Sequence, residues 1–198
     1  MGERTAKVSR DTNETQVSVE VNVDGTGRYE IDTGNGMLDH LLAQLARHGL
    51  VDLRIEAKGD VEVGWHHLVE DVGIVLGRAL REAVGDAKGI VRMAHAYVPL
   101  DEALALTVVD FSGRGYAVVD SQLSDGDLGG LTGDLVDHLL ESLAREGRFN
   151  LHVRVLAGSN NHHKAEAIFK GLARALRAAL TVDERLEGRV ASTKGTIG

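Results

Sequence analysis

No cysteine occurs among the 198 residues. A disulfide framework and a thiolate metal site are both excluded, so any transition metal must be held by imidazole and carboxylate. Zinc fingers and iron-sulfur clusters are disfavoured for the same reason. Aromatic residues are few, one Trp, three Tyr and three Phe, too few for a base-stacking platform. Positive charge is short as well: 22 Lys and Arg stand against 30 Asp and Glu, a formal net charge of -8. Counterion release needs a basic surface, so nucleic acid is not expected as the main partner, though a local basic pocket stays open. No apolar run reaches the length of about 18 residues that a membrane helix needs, and the charged stretch Met1 to Arg10 lacks the apolar core of a signal peptide. The expectation is a soluble, cytoplasmic chain with no membrane partner.

What is present is ordinary globular composition, 43% apolar and 26% charged, enough to bury a core in one domain or two small packed halves. The chain also repeats itself. Asp39-His40-Leu41-Leu42 recurs as Asp137-His138-Leu139-Leu140, and eight of the eleven positions from Asp39 to Gly49 match those from Asp137 to Gly147. His66-His67-x-x-Glu70 recurs as His162-His163-x-x-Glu166 at nearly the same distance downstream. Such self-similarity points to a duplicated half carrying a duplicated metal site.

Periodicity supplies the elements. Val17, Val19, Val21 and Val23 alternate, and Asp24-Gly25-Thr26-Gly27 reads as a hairpin turn from that strand into a second, antiparallel one over Arg28 to Asp32. Leu38, Leu41, Leu42, Leu45 and Ala46 fall at helical spacing up to a capping Gly49. A strand follows over Asp52 to Ala57, then a helix from His66 to about Val84 with Leu68, Val72, Val75, Leu76, Ala79, Leu80 and Ala83 as its apolar stripe. The second half has strands near Arg92 to Val98, Ala103 to Phe111 and Tyr116 to Asp120, a helix near Leu131 to Glu146, a strand over Asn150 to Ala157 and a helix from His162 to Leu180. The predicted class is α+β: an internal duplication of a strand-strand-helix-strand-helix half. Residues 1–87 form the first repeat and 88–198 the second with its C-terminal tail, in one compact unit. Ser121 to Gly130, rich in Ser, Asp and Gly, is predicted to be a mobile surface loop.

Residues four apart share one helical face, so His66 with Glu70, and His162 with Glu166, can each grip an ion from a single turn. The adjacent histidine is rotated by about 100°. His67 and His163 are therefore expected to point at a different ion. If the repeats face each other across a pseudo-two-fold axis, His66, Glu70, His138 and His163 surround one metal, and His162, Glu166, His40 and His67 the other. Such a donor set leaves positions open on Mn(II), Fe(II), Co(II) or Zn(II), which implies catalysis. Asp39 and Asp71 stand beside ligands and are expected to hold imidazole N–H groups. His48 and His95 have no counterpart in the other repeat, and His152 stands where the first half has Arg54; none of the three is expected to bind metal. The spacing is neither His-Glu-x-x-His nor the Glu-x-x-His of four-helix di-iron proteins, which disfavours a metalloprotease.

Further landmarks are Arg10 to Thr15, Asp24 to Gly27, Pro99 to Ala103, Asp110 to Arg114, His162 to Lys170 and Ser192 to Gly195. Together with the two His-His-x-x-Glu motifs they resemble the imidazoleglycerol-phosphate dehydratase family of histidine biosynthesis, over nearly the whole chain. The resemblance implies a fold like domain 2 of ribosomal protein S5, duplicated. It implies a hydro-lyase with two Mn(II) per active site, making imidazoleacetol phosphate through an enol. The ions would bind the substrate's imidazole nitrogens and a hydroxyl, and the hydroxyl on the adjacent carbon would leave through a diazafulvene-like intermediate. The implied ligands are His40, His66, His67, Glu70, His138, His162, His163 and Glu166, with Glu14 handling protons. Arg92, Arg114, Lys170, Ser192, Thr193 and Lys194 would bind the phosphate, the tail folding over it. The family assembles trimers into a homo-oligomer of 24 subunits with active sites between them. It usually carries Ile and Phe at Asn35 and Met37, and Asp and Thr at Gly64 and Leu68.

On the residues alone, two other readings stand beside this one. A different dinuclear enzyme on a small phosphorylated substrate, such as a phosphoester hydrolase, would release free phosphate. A cage protein whose histidines only staple subunits together would turn nothing over.

Overall fold

The computed structural model describes residues 4–123 and 126–197. The first half runs β1 (Thr5–Asp11), β2 (Thr15–Asn22), β3 (Tyr29–Asp32), α1 (Gly36–Gly49), β4 (Asp52–Gly59) and α2 (His66–Val84). The second repeats it as β5 (Met93–Leu100), β6 (Ala103–Asp110), β7 (Tyr116–Asp120), α3 (Gly133–Gly147), β8 (Asn150–Ala157) and α4 (Asn161–Leu180). Each half is an α+β unit with a four-stranded sheet, ordered β1-β2-β4-β3 and β5-β6-β8-β7. The edge strand that precedes the first helix of each half pairs in parallel, β3 with β4 and β7 with β8; the other pairs are antiparallel.

Two features differ from the sequence reading. The first half opens with a third strand, β1, which the periodicity left unassigned: it lies at the sheet edge, and its inward face carries Ala6 and Val8 but also Arg10. Arg10 is accommodated there because its Nε donates to Asp71 at 2.8 Å. Second, β2 and β3 do not form a hairpin. The Asp24 to Gly27 turn is captured by Asp52 at the start of β4, whose Oδ1 accepts from the backbone N–H of Thr26 at 2.8 Å and of Arg28 at 3.0 Å. That carries the chain past β4, so that β2 and β3 flank it on opposite sides.

The halves meet through their helices, α1 against α4 and α2 against α3. One buried apolar cluster runs through both, including Leu41, Leu42, Val72, Leu76, Leu139, Leu140, Ile168 and Leu172. The approach of α2 to α3 depends on glycine. A Cβ at Gly73 would lie 2.8 Å from the carbonyl oxygen of Leu139, and one at Gly77 would lie 2.6 Å from that of Leu143. At the start of α1, Asn35 accepts from the N–H of Met37 and Leu38, both at 3.0 Å, satisfying two otherwise unpaired donors.

Within the segment predicted to be a mobile loop, Ser124 and Asp125 lie outside the described residues. Its flanks pack closely. Leu128 and Leu131 are buried, the carbonyl of Gly129 accepts from Asn35, and the ammonium of buried Lys164 donates to the carbonyl of Gln122.

Candidate metal centres

Because the helices pair across the halves, each His-x-x-x-Glu turn meets the Asp-His motif of the other repeat. His40 on α1 joins His162 and Glu166 on α4; His138 on α3 joins His66 and Glu70 on α2. In each group the three ligand atoms lie within 4.8 Å of one another. The Nε2 of His162 is 2.8 Å and that of His40 3.1 Å from Oε1 of Glu166. In the second group Nε2 of His138 is 3.4 Å from Oε1 of Glu70. The rings stack in matched fashion, His40 with His162 at 5.6 Å and 26°, His66 with His138 at 4.7 Å and 23°.

The donor set suits a divalent transition ion: two imidazoles and a carboxylate converge, with room for further ligands. A second observation supports the fit. Nε2 of His138 is buried and makes no hydrogen bond, which is costly unless something takes its lone pair. At the other triad, burial pushes the Glu166 carboxyl upward in pKa, but the Lys170 ammonium at 2.7 Å and the His40 and His162 imidazoles outweigh it and hold the group at about 2. It is an anion, as a carboxylate ligand must be.

His67 and His163 lie outside these triads within the chain. Their rings stand nearly perpendicular to those of His66 and His162, as the helical rotation requires. Nδ1 of His67 sits 3.0 Å from Asp60, in a third acidic group with Glu14. Nδ1 of His163 sits 2.7 Å from Oε2 of Glu102. Each carboxylate raises its imidazole's pKa, and the contact with His163, with backbone N–H groups adding, lowers Glu102 to about 2. Asp39 and Asp71, expected to hold imidazoles, do not. Asp39 accepts from the N–H and hydroxyl of Thr33 at 3.0 and 2.6 Å. Asp71 is taken by Arg10 and the hydroxyl of Thr15. No spacing rule in the sequence marks Asp60 or Glu102 as a partner of these histidines; the local signal is an acidic residue at each of two turns.

Glu14 stands on the β1–β2 turn, its carbonyl accepting from the N–H of Asp60 at 3.0 Å and its carboxylate 3.8 Å from Nδ1 of His67. Arg92, Arg114, Ser192, Thr193 and Lys194 come together around a cavity of about 340 Å³. The tail is tied down there: Arg92 donates to the carbonyl of Ala191 at 2.7 Å and to Asp110 at 2.7 Å. Lys170 is elsewhere, beside Glu166 at the first triad. His48 is hydrogen-bonded to Gln44 at 3.1 Å, and His95 lies against Tyr97. Of the four departures, Asn35 caps α1, and Gly64 has a φ of 118°, where glycine is favoured. Met37 and Leu68 are buried apolar side chains.

A duplicated α+β scaffold with two imidazole-carboxylate triads between its halves has the donor groups a divalent metal ion needs. The family model for imidazoleglycerol-phosphate dehydratase matches residues 33–176. An imidazoleglycerol-phosphate dehydratase of Dehalococcoides mccartyi is 55% identical over 197 residues, covering 100% of this chain and 99% of that protein. One from Roseiflexus sp. is 53% identical over 194 residues, covering 98% of each. The crystal structure of the Pyrococcus furiosus enzyme superposes with a TM-score of 0.82 at 40% identity, covering 96% of this chain and 100% of that one. The Staphylococcus aureus structure gives 0.81 at 37%, covering 90% and 99%. The chain belongs to the imidazoleglycerol-phosphate dehydratase family.

Proposed function

We propose that this chain removes water from imidazoleglycerol phosphate to give imidazoleacetol phosphate, the hydro-lyase step of histidine biosynthesis, with two Mn(II) per active site. The observation that carries the reading is the pair of matched triads, His40, His162 and Glu166 with His66, Glu70 and His138. Within the reaction a C–H bond and the C–OH bond on the adjacent carbon break, an enol forms, and the enol tautomerises to the ketone. Water leaves, and no electron acceptor is required.

The hydrogen lost is not next to a carbonyl, so the imidazole ring must take up the charge. Bound ions supply Lewis acidity toward the ring nitrogens and a hydroxyl. The triads would hold those ions, and His67 and His163, which join no triad in their own chain, would serve ions on neighbouring subunits. Glu14, exposed and close to His67, exchanges the proton at the side-chain carbon. Arg92, Arg114, Ser192, Thr193 and Lys194 bind the phosphate by charge-assisted hydrogen bonds. Lys170, paired to Glu166 at 2.7 Å, would add a cation beside the first triad.

A homo-oligomer of trimers, 24 subunits in all, accounts for ligands that find no triad in their own chain. Exposed Met93, Tyr97, Tyr116 and Val118 give apolar surface for such contacts. The setting is the cytoplasm; among the described residues no helix is long and apolar enough to cross a membrane. Incubating manganese-loaded protein with imidazoleglycerol phosphate tests the activity. The keto product should form with its phosphate retained, and a chelator should stop it. Release of inorganic phosphate would instead support a hydrolase, and no turnover would support a structural role for the ions.

A further inference from the structure

His67 and His163 are each engaged at one ring nitrogen by a carboxylate from outside their own helix. For His163 the partner is on the β5–β6 turn, Oε2 of Glu102 at 2.7 Å from Nδ1. For His67 it lies on the β4–α2 connection, where both oxygens of Asp60 approach Nδ1, at 3.2 and 3.0 Å. A neutral imidazole has one N–H and one lone pair, and an ionised carboxylate only accepts. The nitrogen facing the carboxylate must therefore carry the proton, and the lone pair is left on Nε2. In His163 that Nε2 is 3.8 Å from the nearest oxygen of Asp101, beyond hydrogen-bond distance.

Glu102 is itself anchored. Its Oε1 accepts from the backbone N–H of Ser159 at 3.1 Å and of Asn160 at 2.8 Å, which leaves Oε2 for the ring. Asn160 in turn caps α4 by accepting from the N–H of His162 and His163. Turn, carboxylate and helix start are thus one hydrogen-bonded unit. In the first repeat the corresponding β1–β2 turn carries Glu14, but its carboxylate stays 3.8 Å from His67, and Asp60 takes its place. Two positions that are not equivalent in the repeat arrive at the same contact with equivalent histidines.

We propose that Asp60 and Glu102 are positioning residues that hold His67 and His163 as Nδ1–H tautomers and present Nε2 to a metal ion. This rests on the metal reading above. It assigns the two carboxylates no contact with substrate; they act through the imidazoles, by fixing ring orientation and raising ligand basicity.

The test combines nitrogen-resolved NMR of the imidazoles in metal-free protein near pH 8 with Mn(II) titration of the intact protein. Unmodified protein should show Nδ1–H for both histidines. In Glu102→Gln the backbone N–H groups keep the side-chain oxygen, so the amide N–H faces Nδ1 and drives the proton to Nε2. Mn(II) affinity should fall about 10- to 100-fold. Asp60→Ala should weaken binding similarly at the other ion, giving a second variant if the first folds poorly. Adding His163→Ala to Glu102→Gln should cost little more, since the two act as a unit. Nε2–H tautomers in the unmodified protein, or unchanged Mn(II) affinity in both variants, would overturn the positioning role alone. An unmodified protein that binds no Mn(II) would overturn the metal centres as well.

Discussion

His40 on α1 lies 3.1 Å from Glu166 on α4, and the same contact is made between His138 on α3 and Glu70 on α2 at 3.4 Å. Neither pair exists within one repeat. Each candidate centre is built by docking the halves, so whatever spaces the helices also spaces the ligands.

Gly77 sets that spacing on one side. A methyl group there would come within 2.6 Å of the carbonyl oxygen of Leu143 and 2.8 Å of the backbone nitrogen of Gly147. Gly77→Ala should cost about 1 to 3 kcal/mol by overpacking and weaken metal binding at His66, Glu70 and His138 more than at the other triad. Thermal unfolding and Mn(II) titration of the variant check both effects.

Asn35 couples a local cap to the same machinery, since α1 carries His40. Asn35→Ala should lose ~1 kcal/mol, lowering Tm by about 2 to 4 °C for a chain of this size. Restoration by Asn35→Ser or Asn35→Asp identifies the cap as the cause. A Tm unchanged in Asn35→Ala would show that the cap contributes nothing.

Asp52 makes acid stability predictable. Its side-chain bond to Arg28 lowers its pKa below the ordinary aspartate value, against the cost of burial, with the Thr26 and Arg28 N–H groups adding. A carboxylate depressed on folding contributes stability above its unfolded pKa of about 3.9, lost as pH falls through the lower folded value. Stability of the unmodified protein should fall below about pH 4, and Asp52→Asn should be less stable at neutral pH with a flatter acid limb. Chemical denaturation between pH 3 and 7 measures the slopes.

For the phosphate, Arg114 is the cleanest probe, because Arg92 also holds Asp110 and Ala191. Arg114→Ala should raise KM about tenfold or more, the loss of a hydrogen bond to a charged group, with a smaller effect on kcat. A kcat loss without a KM change would place Arg114 outside the phosphate site.

Much of this was legible in the residues because it is local or periodic. Four helices followed from apolar spacing, and the His-x-x-x-Glu grips from the helical repeat. The duplication pointed to pairing across halves, and the helix contacts have that form. What stayed hidden depends on partners distant in the chain or in loops. β1 was unreadable because Arg10 occupies an inward position that only Asp71 makes tolerable. The β2–β3 connection resembled a hairpin until Asp52 bound its turn. Glu102 meets His163 across 61 positions, with no spacing rule to announce it.

The most direct measurement is the number of Mn(II) ions bound per chain in the assembled protein, with His40→Ala and His138→Ala beside it. Two ions are expected for the unmodified chain and the loss of one in each variant, from a different triad each time. Fewer than two ions in the unmodified protein, or an undiminished count in either variant, would contradict it.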